Sequence, residues 1–425
     1  MGPLRVHRCA PTGRRLGTSA QALLGLLALA TLAAAAVLVV TSPPDGRGSD
    51  GDPASTGPGA PAVARRSAPP PRTAEGPVGE PTSGAAVAAR GEDDRPFDLN
   101  DRAIAALGEG RHDEAIALFE EAAAARPDVA AFGANLGEAY LRRARAGEGG
   151  PDAAIADLER ALEWIDDDER RGQVEALLGR KRRVRDEERD FVVEPTLHFT
   201  FRYDGSREGV TDGVDRLKVL LEDTYQEFGE QFRRRPVEAG EGRIEVVLYD
   251  AEGFDKVTGL GDWAGGVFDG KIRVPVEDLR SELRLARVES VLRHETAHAF
   301  TRSIGGAAVP AWLNEGVAQW LEEPRRRSGA VSIARSRLAA SELFPLSRLQ
   351  GSLVSWKDRG EVARAYDQAL AFVDHLAEQY GEELVFSMVE ACRASGQEGA
   401  AARFRERTLV DLDAVLGDLA DSLGR

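Results

Sequence analysis

The spacing of apolar residues changes character several times along the chain, and each change predicts a different element. Ala22–Val40 is an apolar run in which Thr31 is the one polar interruption. As a helix these residues rise about 28 Å, enough to cross the hydrocarbon core of a bilayer. From Thr41 to Pro96 there is almost no large apolar side chain. Such a stretch cannot bury a core, and it is expected to be a disordered tether. A helical period then runs from Phe97 to about Asp190. Alternation over Pro195–Tyr203 predicts a strand. Gly213–Phe232 returns to an amphipathic helical period, and Arg243–Asp250 and Gly270–Val276 predict two further strands. Beyond Ser281 the pattern is helical. Leu285, Val288, Leu292 and Ala299 share one helix face, a short helix fits within Val309–Pro324, another within Ala363–Gly381, and helical residues extend from Phe386 to Leu423. Strands followed by clustered helices predict an α+β lobe behind an all-α segment.

The all-α segment is internally repetitive. Asp113–Pro127 and Asp152–Leu162 align with Ala115 on Ala154, Ile116 on Ile155, Phe119 on Leu158 and Ala122 on Ala161, an offset of 39 residues. Asn135–Tyr140 (NLGEAY) lies between them. Small residues at the crossings, a large one filling the groove and Pro127 closing the unit resemble the tetratricopeptide repeat. The usual period is 34, so the Arg145–Gly150 region is expected to carry an insertion in the inter-helix turn. The resemblance implies a concave groove for a protein partner; a helical spacer is the equal alternative.

Composition narrows the choices further. Lys+Arg is 55 against Asp+Glu 71, a formal net charge of −16. Phosphate binding needs clustered positive charge, so nucleic acid is not an expected partner. Cys9 and Cys392 exclude a disulfide framework and a cysteine-based zinc finger, and Cys392 reads as a small core residue. Arg5, Arg8, Arg14 and Arg15 precede the apolar run. They predict a basic cytosolic segment at 1–21, a transmembrane signal anchor at 22–40 and export of the remaining chain to the extracytoplasmic side of the cell membrane. A cleaved signal peptide is the competing reading. The tether at 41–96 holds 11 of the 21 prolines. Helical repeats at 97–190 and a second globular domain at 191–425 complete the expected order.

The chemistry lies in that second domain. His294-Glu295-Thr296-Ala297-His298 falls in the helix that begins near Ser281. Histidines four apart stack on one helix face within reach of a single cation, and neutral imidazoles suit Zn²⁺. Glu295, one step round the helix, can flank the metal's open position as a general base. Two histidines need a further ligand. Glu315 lies off the core stripe of Leu313, Val317, Trp320 and Leu321, and the turn at Gly305-Gly306 lets its helix pack back and bring it to the metal. His198 is expected in a strand and His375 on a helix face, neither as a ligand.

The H-E-x-x-H run together with Trp312-Leu313-Asn314-Glu315-Gly316-Val317-Ala318 resembles the gluzincin metallopeptidases, most closely the bacterial peptidase MA-like domains. The resemblance covers roughly Phe191 to the C-terminus. It implies a thermolysin-like lobe, with a small sheet over the active-site helix. It implies His294, His298 and Glu315 as zinc ligands, Glu295 as the base, and Gly261–Val276 as the source of an edge strand along which a substrate peptide pairs. Tyr366, in Ala363–Gly381, is the candidate for stabilising the oxyanion, Tyr380 the lesser one; either can equally be packing. Thermolysin-like enzymes place an Asp four residues after the ligand Glu, behind a histidine. Here that position is Gln319. No G-x-M-E-N run is present, which disfavours an aminopeptidase of that type.

These readings converge on a membrane-anchored zinc metallopeptidase. Two alternatives stand beside it. One is a non-enzymatic repeat scaffold with a retained zinc lobe, and the other a zinc hydrolase acting on a different bond.

Overall fold

The computed structural model describes residues 84–236, 242–261, 264–353 and 356–424. They fall into two compact units divided between Arg189 and Asp190. The expected anchor at 22–40 and most of the expected tether lie outside the described residues. Among the described residues no helix is long and apolar enough to cross a membrane.

The described residues of the first unit form five helices: α1 (Gly84–Gly108), α2 (His112–Ala125), α3 (Ala130–Ala146), α4 (Gly150–Leu162) and α5 (Asp168–Glu188). Each packs on the next. The aligned positions Ala115, Ile116, Phe119 and Ala122 of α2 and Ala154, Ile155, Leu158 and Ala161 of α4 are all buried. Helix α1 starts at Gly84, inside the stretch expected to be tether. The run Gly84–Arg90 is rich in alanine, and strong helix propensity needs no large apolar residue. The insertion also sits elsewhere than expected. Asn100 of α1 and Asn135 of α3, 35 residues apart, meet in a buried amide pair at 2.8 Å. The turns after α1 and α3 are equally short, at 109–111 and 147–149. The extra residues lengthen α3, whose last turn Arg142–Ala146 continues the helix rather than looping out.

The second unit carries a five-stranded mixed sheet and nine helices among its described residues, which makes it α+β. The strands are β1 (Val192–Pro195), β2 (Phe199–Tyr203), β3 (Ile244–Tyr249), β4 (Val267–Phe268) and β5 (Ile272–Pro275), in the order β1-β2-β3-β5-β4. β2, β3 and β5 run parallel, and the edge strands β1 and β4 run antiparallel to their neighbours. The single strand expected over Pro195–Tyr203 is in fact a hairpin arm. The chain turns at Thr196–His198, where Thr196 N–H donates to the Phe199 carbonyl at 2.8 Å. His198 therefore sits in a turn, stacked on Tyr225 and bonded through Nδ1 to Glu222 at 2.6 Å.

Helix α6 (Glu208–Gln231) crosses one sheet face, burying Val214, Leu217, Leu221, Tyr225 and Phe228 at helical spacing. Phe199, Phe201, Val246, Leu248, Ile272 and Val274 meet it from the strands. Helix α7 (Ala251–Thr258), which the hydrophobic pattern did not announce, is capped by the Asp250 carboxylate accepting from Gly253 N–H. The long helix α8 (Glu282–Gly305) joins the same core through Leu285, Val288, Leu292 and Phe300. Next come α9 (Ala311–Glu322), α10 (Arg327–Leu338), a 3₁₀ turn at Leu346–Leu349, α11 (Arg359–Tyr380), α12 (Glu382–Ser395), α13 (Glu398–Thr408) and α14 (Leu412–Ser422). Cys392 is buried in this helical layer.

Candidate metal centre

Helices α8 and α9 are bound together at both ends of their contact. Near the start of α9 the Thr301 hydroxyl donates to the Asn314 side-chain oxygen. At its end Arg293 reaches over from α8. Its Nε donates to the Glu322 carbonyl at 3.1 Å and its Nη2 to the Leu321 carbonyl at 3.1 Å, while Glu227 of α6 grips the same guanidinium at 2.9 Å. These bonds satisfy carbonyls that the helix end would otherwise leave open.

His294, His298 and Glu315 lie between those two clamps. Each offers a ligand atom, and the three atoms fall within 4.8 Å of one another. Glu315 Oε2 is 3.8 Å from His294 Nε2 and 3.5 Å from His298 Nε2. Bonds of 2.0–2.1 Å to a tetrahedral ion would set neighbouring ligand atoms about 3.3 Å apart, close to what is seen. All three side chains are buried. His294 Nε2, His298 Nε2 and Glu315 Oε2 are sealed from water without a hydrogen-bond partner. Leaving such groups unpartnered costs free energy, and a cation satisfies all three together. The residues present therefore fit a metal ion.

The rest of the shell holds this set in place. His294 Nδ1 meets Glu322 Oε2 at 3.2 Å, and Ser290 Oγ donates to Glu322 Oε1 at 2.5 Å. A carboxylate behind an imidazole fixes its tautomer and raises its basicity. Gln319, the position four residues after Glu315, does not do this. Its Nε2 donates to the Tyr366 carbonyl at 3.0 Å and the Glu315 carbonyl at 3.3 Å, pinning α9 to α11. Gly316 permits that approach, since a Cβ there would stand 2.4 Å from the Ala369 carbonyl oxygen.

Burial works against the His294 imidazolium, but Glu315 and Glu322 outweigh it and hold the group up at about 10. Burial likewise opposes the Glu315 carboxylate, which His298 and His294 keep below its usual range. Glu295 is different. Burial pushes its carboxyl up to about 8, against the pull of His294 and with the help of Glu315 and Glu322. Its Oε2 is buried and unpartnered. Gly266, just before β4, faces it: a Cβ there would lie 3.0 Å from Glu295 Oε1 and 2.7 Å from Val291 Cγ1. The sheet edge thus comes directly onto the helix turn that carries Glu295. Asp262 and Trp263, within the expected edge segment, lie outside the described residues.

Tyr366 is buried in α11 within the core cluster, and its carbonyl is the one that Gln319 holds. Tyr380 packs edge-on against Phe404 at 4.9 Å. His375 is buried on α11 and is not one of the clustered ligands. Three supporting residues, Glu322, Ser290 and Arg293, were not apparent from the sequence. One signal was available: Glu322 lies seven residues beyond Glu315, two turns along the same helix face. Neither a protein-family model nor a curated protein matches the chain.

Proposed function

We propose that residues 191–425 are a zinc metallopeptidase lobe of the gluzincin kind, with His294, His298 and Glu315 as ligands and Glu295 as general base. The observation that carries the reading is the set of sealed, partnerless ligand atoms together with a further partnerless oxygen, that of Glu295, the residue next to His294. A purely structural metal site has no use for that further group.

Zinc, when bound, supplies a Lewis acid that polarises the scissile carbonyl and makes a water easier to deprotonate. The chain's own residues do the rest. Burial holds the Glu295 carboxyl up at about 8, close enough to neutral pH for the group to accept and return a proton. Glu295 takes the proton from water as the peptide carbonyl is attacked, and delivers it to the leaving amine. Glu322 holds His294 in the tautomer that presents Nε2 to the metal. The peptide lies along β4, the edge strand whose approach to the helix turn of Glu295 is permitted by Gly266. Tyr366 is assigned to the developing oxyanion.

The first unit, with its matched helix pairs, is assigned as a tetratricopeptide-like segment that spaces or docks. Ala22–Val40 is assigned as the anchor that keeps the lobe on the outer side of the membrane. Elemental analysis of the full chain, paired with digestion of an unbiased peptide library, tests the reading. About one zinc per chain and a reproducible set of cleavages are expected. Zinc without cleavage would favour the scaffold, and absence of any metal would remove the foundation of the proposal.

A further inference from the structure

Helix α8 presents one more charged group on its metal-binding face. Arg302 lies four residues beyond His298 and seven beyond Glu295, so it shares the azimuth of both, one and two turns further along. It is half-buried, and its Nη1 is sealed from water with no partner. No ion pair or hydrogen bond joins its guanidinium to any described residue. Other arginines around the helical layer are paired: Arg293 with Glu227, Arg335 with Asp374 and Glu378, Arg337 with Asp367. Burial lowers the Arg302 guanidinium, and no carboxylate among the described residues offsets it. In a protein of net charge −16 an uncompensated, partly desolvated cation one helical turn beyond a candidate metal ligand is conspicuous.

We propose that Arg302 binds a carboxylate of the substrate, so that the preferred peptide carries a negative charge near its scissile bond. The inference rests on the peptidase reading. A backbone carbonyl would satisfy a donor but leave the charge uncompensated, whereas a carboxylate matches the planar fork with two parallel bonds. Arg302 lies about 10 Å along the helix from Glu295, the span of about three extended residues. The charge therefore falls within about three residues of the cleaved bond. An acidic side chain and a free C-terminus both supply it.

The test uses zinc-loaded full chain and fluorescein-labelled octapeptides with Asp or Asn at each position and a free or amidated C-terminus. Wild type is expected to prefer the charged member at one position, or the free acid, by about 10- to 100-fold in kcat/KM, mainly through KM. Arg302→Met should abolish that preference and leave neutral peptides unaffected, and Arg302→Lys should restore part of it. The same peptides are titrated by anisotropy onto the zinc-loaded Glu295→Gln chain, with and without Arg302→Met. If wild type cleaves no peptide, the peptidase reading fails, and the titration still decides whether Arg302 captures carboxylates. Equal losses on charged and neutral peptides in Arg302→Met, or no preference for charge in wild type, overturn the assignment.

Discussion

The His294 imidazole has two nitrogens, and α9 meets both with carboxylates: Glu315 toward Nε2 and Glu322 at Nδ1. The H-E-x-x-H spacing made the two histidines legible as a pair on one helix face with Glu295 one step round from them, whereas Glu315, on a second helix, was legible only from its place off the core stripe and from the resemblance. The orienting carboxylate was not legible at Gln319, the position where the resemblance looked for it. Gln319 is spent on the Tyr366 carbonyl, and the task falls to Glu322 one turn later. Glu322→Gln keeps the volume but removes the anion behind His294. Zinc affinity, measured by competition with a chromophoric chelator, is expected to fall about 10- to 100-fold while the far-UV spectrum is unchanged. An unaltered affinity would show that the 3.2 Å contact does nothing for the metal.

At the scale of elements, long periodic helices were the easiest to foresee. Helix α8 begins one residue after the expected Ser281, and α9 fills the interval between Pro310 and Pro324. The short pieces were not. Strand β1 has four residues and folds back at Pro195-Thr196, while α7 and α10 are held by an Asp250 cap and tertiary contacts rather than by a strong pattern. Helix α11 shows what such packing costs. Burial pushes the Asp367 carboxyl up to about 6, with Arg337 only partly opposing it. Because the folded value exceeds the unfolded one near 3.9, the native state holds this proton more tightly. The charged form weakens the fold above about pH 6, and that penalty vanishes as pH falls below about 4. Asp367→Asn has no such titration. Relative to that variant, wild type should gain up to about 3 kcal/mol of unfolding free energy between about pH 7 and pH 4. Parallel curves for the two proteins would contradict the assignment.

For the whole molecule, the proposed metal would act on one unit only. The three groups that could hold it lie in the second unit, and binding free energy at such a site is folding free energy. Removing zinc with a chelator should lower the melting transition of residues 190–425 by on the order of 10 °C, for a thousandfold excess of metal over its dissociation constant. The helical unit up to Arg189 should melt unchanged in the same scan. Equal shifts in both transitions would mean that the metal binds elsewhere as well. The division into an all-α unit and an α+β unit was legible from the change of hydrophobic period near Asp190. Where the first helix starts was not, because Gly84–Arg90 carries helix propensity without the apolar side chains that mark a core.

The claim that Glu295 is the base and Glu315 a ligand is tested most directly by comparing two isosteric variants for zinc content and peptide hydrolysis together. Glu295→Gln leaves the three ligand atoms in place, so it should hold about one zinc per chain while losing about 10²–10⁴-fold in kcat. Glu315→Gln removes the one anionic ligand and should be both zinc-poor and inactive. Near-normal hydrolysis by zinc-loaded Glu295→Gln would contradict the account.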